Sequence, residues 1–206
     1  MSARLAYLSP RRGRRAPFDD LAPPHTTVES VHEADLATLP PDACQALLVP
    51  MHIDQRRFAG NAAWIDAFFR AGGTLVFNGL LAYPFRPELR IFEPIQRPGL
   101  SALHVAVDQS HPVWHGVDAA DLTFRRGVAG FYGRGANPPP EGARIVGTLA
   151  RGRVPVDWEW AVPGGGRLLM HAGNDLWMYA RDDTSAAALT PQLLSWCAHG
   201  RARDAA

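Results

Sequence analysis

Two short, wholly apolar runs on either side of a helix-length segment constrain this chain more than any other feature. Ala46-Leu-Leu-Val-Pro50 and Thr74-Leu-Val-Phe77 flank Phe58–Arg70, in which Phe58, Ala62, Ile65, Phe68 and Phe69 fall on one stripe at helical spacing. Strands without a polar face must be covered on both sides, and two such strands joined by a helix of about 12 residues are a βαβ crossover in a parallel sheet. Ala71-Gly72-Gly73 ends the helix, because glycine takes the left-handed position after a last turn without steric cost. In open α/β sheets ligands sit at the carboxyl ends of the strands. The loops Met51–Asp54 and Asn78–Leu80 are therefore the first places to look for a site.

The flanking segments extend this unit. Arg4–Leu8 reads as a first strand and Thr26–Val31 as a second, separated by the charged, proline-bearing stretch Arg11–Pro24 with one helical turn near Phe18–Leu21. Ala34–Leu39 is a short helical or turn segment, and Tyr83–Gly99 is an irregular excursion of the kind that often forms a binding loop. From Leu103 onward come short strand-like runs: His104–Val107, Leu122–Phe124, Gly127–Tyr132, Arg144–Ala150, Val154–Val162 and Arg167–His171. Gly164-Gly-Gly166 is a hairpin turn between the last two, and a final helix begins at Thr190 as cap with Pro191 in its first turn. The expected architecture is α/β, a three-layer flavodoxin-like domain with a mostly parallel central sheet and a β-rich carboxyl-terminal extension. One domain covers residues 1–200, and residues 201–206 form a frayed tail.

Composition removes several function classes. Net charge is +1 and the charges are distributed through 206 residues, so neither nucleic acid nor a membrane surface is expected as partner. Only Arg11-Arg-Gly-Arg-Arg15 stands out. All the basic residues other than histidine are arginine, which removes Schiff-base chemistry and the lysine of a phosphate loop; with the abundant Ala, Pro and Gly, this bias points to a GC-rich bacterial genome. Cys44 and Cys197 show no metal spacing, and no apolar leader or span is present, so a cytoplasmic protein with two free thiols, no metal and no cofactor is expected. His111, His115 and Asp118 lie in a turn-like segment without a second ligand cluster.

The order of segments resembles the class I glutamine amidotransferase-like superfamily, and within it the trehalose-utilisation-type members. The resemblance rests on residues 46–50, Phe69-Arg-Ala-Gly-Gly73, Thr74-Leu-Val-Phe-Asn-Gly79, His111-Pro-Val-Trp-His-Gly-Val117 and Gly164-Gly-Gly-Arg-Leu-Leu-Met-His171. In catalytic members a cysteine stands on a sharp turn after the strand matching Thr74–Phe77, but here Asn78-Gly-Leu-Leu-Ala82 follows it. A thiolate–histidine mechanism needs both partners, so the chain should not hydrolyse glutamine by that route. The triad histidine of the superfamily matches His171, without the proline that follows it there.

The candidate ligand-binding residues are His52, Asn78, Tyr83, Arg86, Arg126, His171, Asn174 and Asp175, with the catalytic set left open. Each has an ordinary alternative. His171 can be a structural hydrogen-bonder, the arginines surface ion pairs, and the tryptophans of Trp158-Glu-Trp160 core packing. Asp54 suits a helix cap better than a ligand. The expected partner is a small polar or anionic molecule, or a protein, with a homo-oligomer also admitted. The competing reading is a hydrolase or isomerase acting on a carbohydrate-like substrate.

Overall fold

The computed structural model describes residues 2–96 and 99–199; the tail at 201–206 lies outside them. Among the described residues twelve strands form: β1 Ala3–Ser9, β2 Thr26–His32, β3 Ala46–Val49, β4 Thr74–Asn78, β5 Glu93–Pro94, β6 Ala106–Val107, β7 Phe124–Arg125, β8 Val128–Ala129, β9 Gly135–Ala136, β10 Arg144–Leu149, β11 Val154–Ala161 and β12 Arg167–His171. Eight build the central sheet in the order β2-β1-β3-β4-β12-β11-β10-β6. The half from β2 to β12 is parallel, and β11, β10 and β6 continue it antiparallel. The short pairs β5–β9 and β7–β8 stand apart from it.

The parallel half follows from the apolar runs. Ala46-Leu-Leu-Val49 is wholly buried, and its side chains alternate between two cores: Ala46 and Leu48 on one face of the sheet, Leu47 and Val49 on the other. α1 (Gln55–Gly60) and α2 (Ala62–Arg70) cover the second face; α4 (Leu189–His199) and the turn Leu176–Tyr179 belong to the first. The result is a three-layer α/β fold.

Several expectations change in detail. The segment Phe58–Arg70 is not one helix, since the chain breaks at Asn61 and a new helix starts at Ala62. Ala62 is exposed and Trp64 takes its place on the buried stripe, stacked on Phe68 at 5.3 Å. Leu122–Phe124 is not a strand: Asp118 caps a five-residue helix, α3 (Ala119–Thr123), through the Ala120 amide. Of Gly127–Tyr132 only Val128–Ala129 pairs. The last helix starts at Leu189, directly after a 3₁₀ turn at Ser185–Ala188, so Thr190 lies inside it and its buried hydroxyl makes no hydrogen bond. Other readings hold. Asp54 caps α1 by accepting from the amides of Arg56 and Arg57, and Gly164–Gly166 turn β11 into β12 with positive φ at all three.

Candidate functional site

The parallel pairing aligns the carboxyl ends of β3, β4 and β12. Asn78 stands directly beside His171 in the register, one position beyond the pair Val49 and Phe77. Past these ends lies a cavity of about 190 Å³ lined by Met51, Leu80, Phe131, Gly133, Arg134 and Gly173 among others. Gly79 forms the corner: its φ is +109°, its amide donates to the His171 carbonyl at 3.0 Å, and a Cβ there would lie 2.9 Å from the Met51 Cα. Leu80 follows, 46% exposed. No helix begins there. Asn137 holds the corner by donating from Nδ2 to the Gly79 carbonyl (2.8 Å) and accepting at Oδ1 from the Leu81 amide (2.9 Å).

A buried polar network lies under the cavity floor. Trp114 Nε1–H donates to the Tyr132 hydroxyl (2.8 Å), which donates to Asp157 Oδ2 (2.7 Å). The other oxygen of Asp157 meets His171 Nδ1 at 2.5 Å, with both side chains fully buried. The carboxylate accepts, so Nδ1 carries the hydrogen and Nε2 is the basic nitrogen. Among the described residues Nε2 has no hydrogen-bond partner, and it lies against Gly173, where an added Cβ would come within 2.6 Å of it and 1.7 Å of the Tyr132 carbonyl. Burial drives the Tyr132 hydroxyl well above the usual phenol range, with the Asp157 charge adding to it, so tyrosine stays a donor.

An irregularity in β11 places the acid. Val154 and Val156 pack with the α4-side core, whereas Trp158 and Trp160 belong to the other, so the alternation slips by one beside Asp157. Gly147 on β10 makes room, since a Cβ there would lie 1.9 Å from Asp157 Oδ2.

The expected site residues divide accordingly. Asn174 lines the cavity, and its Nδ2 donates to the Phe131 carbonyl at 2.6 Å. Asn78, His171 and Asp175 lie beneath the surface. Asn78 donates to the Val49 carbonyl and accepts from the Leu176 amide. Asp175 Oδ1 accepts from the Met51 amide at 2.7 Å. Burial pushes the Asp175 carboxyl up, opposed by that amide and by the nearby His52 and His171. His171 is a fully buried hydrogen-bonder, and the expectation that it lines the crevice with few packing contacts is corrected. His52 is exposed on the turn between β3 and α1.

The remaining three do not line this cavity. Tyr83 is exposed and accepts from Arg56 Nε at 2.7 Å. Arg86 is drawn to Asp66 and Glu88 beside Phe69, near the amino-terminal end of β4. Arg126 is 71% exposed at the β7–β8 turn and pairs with Asp182 (2.9 Å); its neighbour Arg125 pairs with the same carboxylate and also packs on the Phe131 ring at 4.1 Å. Asp157, Tyr132 and Asn137 escaped the sequence reading, although an aspartate flanked by Val156 and Trp158 was a visible signal, with Glu159 the other acid of the strand. Neither thiol approaches the crevice. Cys44 precedes β3, and Cys197 is buried on α4 near Arg167, the first residue of β12, with its thiol pushed up to about 12 by burial. Among the described residues no group of three or more His, Cys, Asp or Glu could hold a metal.

No protein family and no curated protein matches the chain in sequence. Among solved structures it is similar to the cytoplasmic protein STM3548 from Salmonella typhimurium, with TM-score 0.56 and 10% identity over 95% of this chain and 98% of that one. It also aligns with the exo-β-1,4-mannosidase Op5Man5 from Opitutaceae bacterium strain TAV5, with TM-score 0.47, 13% identity and 96% of this chain covered. A third match is the GH42 β-galactosidase Gan42B, with TM-score 0.45, 15% identity and 88% coverage. The chain spans 36% and 29% of those two enzymes. At these identities the likeness to STM3548 concerns the fold alone, and the other two carry no argument about function. No helix among the described residues is long and apolar enough to cross a membrane.

Proposed function

We propose that this chain is an amidotransferase-like domain without glutaminase activity, which binds a small polar or anionic molecule at the carboxyl edge of its sheet. The observation that carries the reading is the crevice itself: three aligned strand ends and a glycine corner frame a cavity lined by Leu80, with no cysteine in the stretch Asn78–Ala82 where the resemblance would require one. Its volume of about 190 Å³ suits a ligand of few heavy atoms. Met51, Leu80 and Phe131 offer apolar contact, while Arg134 and Asn174 offer the donors that would orient a carboxylate or amide group.

The test is a thermal-shift screen with sugars, phosphates and carboxylates on the wild type and on Leu80→Glu, which places a charge in the cavity. A ligand that raises the melting temperature of the wild type and not of the variant supports the reading. Stabilisation equal in both sinks it. Glutamine should release no ammonia above the buffer rate; release abolished by Cys44→Ser would show that a thiol does reach the crevice.

A second reading, a hydrolase acting on a carbohydrate-like substrate, is favoured by Asp175, a buried carboxyl held above its usual range beside the crevice as a general acid would be. Glycoside hydrolysis requires a second carboxylate, and Asp157 is engaged at both oxygens by Tyr132 and His171. Release of nitrophenol from aryl glycosides, lost in Asp175→Asn, would favour this reading over the first.

A further inference from the structure

The crevice makes no use of the arginine loop after β1, yet that loop is firmly placed. Ser9 Oγ donates to the Arg11 carbonyl (2.7 Å) and accepts from the Arg11 amide (3.2 Å), which fixes the turn as it leaves the strand. Arg12 forms a two-pronged pair with Asp35 at 2.6 and 3.1 Å, tying the loop to the segment after β2. Downstream, Ala16 and Phe18 are buried, with the Phe18 ring 5.0 Å from Trp177. The backbone that carries Arg11, Arg14 and Arg15 is thus fixed at both ends, with their side chains exposed.

Their charges are only partly matched, by Asp19, which also lines the adjoining cavity. Arg15 reaches Asp19 only at 4.0 Å, and Arg11 and Arg14 form no ion pair among the described residues. Like charges this close in sequence repel unless an anion joins them. Between the loop and the outer strand β2 lies a cavity of about 470 Å³, reached by Arg11 and Arg14 and floored by Val28, Ser30 and His32, which share one face of β2 by strand alternation. It is more than twice the volume of the crevice cavity.

We propose that this cavity is a second binding site, distinct from the crevice, for the phosphate group of a small phosphomonoester. A dianionic tetrahedral group accepts forked hydrogen bonds from two guanidinium groups at once, and Ser30 and His32 add neutral or weakly basic donors at the same wall. The volume falls within the usual range of about 300–1,000 Å³ for small-molecule sites and leaves room for the esterified body beyond the phosphate. Nucleic acid fits less well, because Asp19, Glu29 and Asp35 border the arginines and no basic track leads away from them.

Calorimetric titration of the full chain with ribose 5-phosphate, ribose and inorganic phosphate at low ionic strength tests this. Ribose 5-phosphate should bind more tightly than about 1 mM, inorganic phosphate should compete, and ribose should not bind. The double variant Arg11→Gln/Arg14→Gln removes exposed, unpaired charges. It should keep the wild-type melting temperature and weaken ribose 5-phosphate by about tenfold or more. Binding weaker than 1 mM, or unchanged in the double variant, overturns the proposal. Binding lost in Leu80→Glu but kept in the double variant also overturns it, while leaving the crevice function standing. A single-stranded oligonucleotide that binds more tightly than ribose 5-phosphate through the same arginines would assign the loop to nucleic acid instead.

Discussion

Two carboxylates near the crevice floor sit in opposite situations, and their substitution separates burial from pairing. Asp157 is held by two donors at full burial. Removing His171 leaves that acid with one partner and no solvent, so His171→Ala should cost about 3–5 kcal/mol in urea unfolding; a loss under 1 kcal/mol would show that the pair is unimportant to the fold. Asp175 is buried with the Met51 amide and the Trp177 side chain as donors, and burial still raises its carboxyl above the ordinary value of 3.8. A raised acid binds its proton more tightly in the folded state, so ionisation disfavours folding as pH climbs past the unfolded value. Asp175→Asn keeps an acceptor for the Met51 amide and removes that cost. Its stability should match the wild type below about pH 3.8, gain on it as pH rises through the native value, and hold the gain at neutral pH. A variant that is less stable at pH 7 than at pH 3 relative to wild type contradicts this sign.

Among the elements, β11 carries the most consequence for the site. Its slip in alternation sets Asp157 against His171, and the absent side chain of Gly147 on β10 is what admits the carboxylate. Gly147→Ala would put a methyl carbon into a side chain locked by two hydrogen bonds. It should destabilise by about 2–3 kcal/mol in urea unfolding and alter the near-ultraviolet circular dichroism of Trp114 and Tyr132; an unchanged spectrum and stability would mean that Asp157 is not so tightly held. The central parallel strands β3 and β4 were legible in sequence because their runs Ala46–Val49 and Leu75–Phe77 are apolar on every residue. α3 was not legible, since five residues give no helical period and Leu-Thr-Phe reads as strand. The break at Asn61 escaped for a related reason: both halves continue one stripe, and nothing apolar marks the join. Asp157 and Tyr132 stand 25 residues apart, a pairing that no local pattern reveals.

At the scale of the whole molecule, the parallel order β2-β1-β3-β4-β12 gathers the loops after β3, β4 and β12 at one edge, and both cavities open near strand ends of that edge. Sequence order alone located the edge, since strands that share a direction share it. It did not tell which residues face out, because exposure depends on the glycines at 79, 133 and 173 and on loops closing from positions 130–137. That is why His171 proved to lie under the floor and Leu80 on it. Binding of a small molecule in the crevice, without glutaminase activity, is the function proposed for this chain. It is tested most directly by amide chemical-shift mapping of the ¹⁵N-labelled chain titrated with succinate, trehalose and glutamine. At least one of these probes should give saturable shifts clustered at Met51, Leu80, Gly133, Gly173 and Asn174, with the probe recovered unchanged. Shifts confined to other faces of the molecule, or conversion of a bound probe to product, would contradict the account.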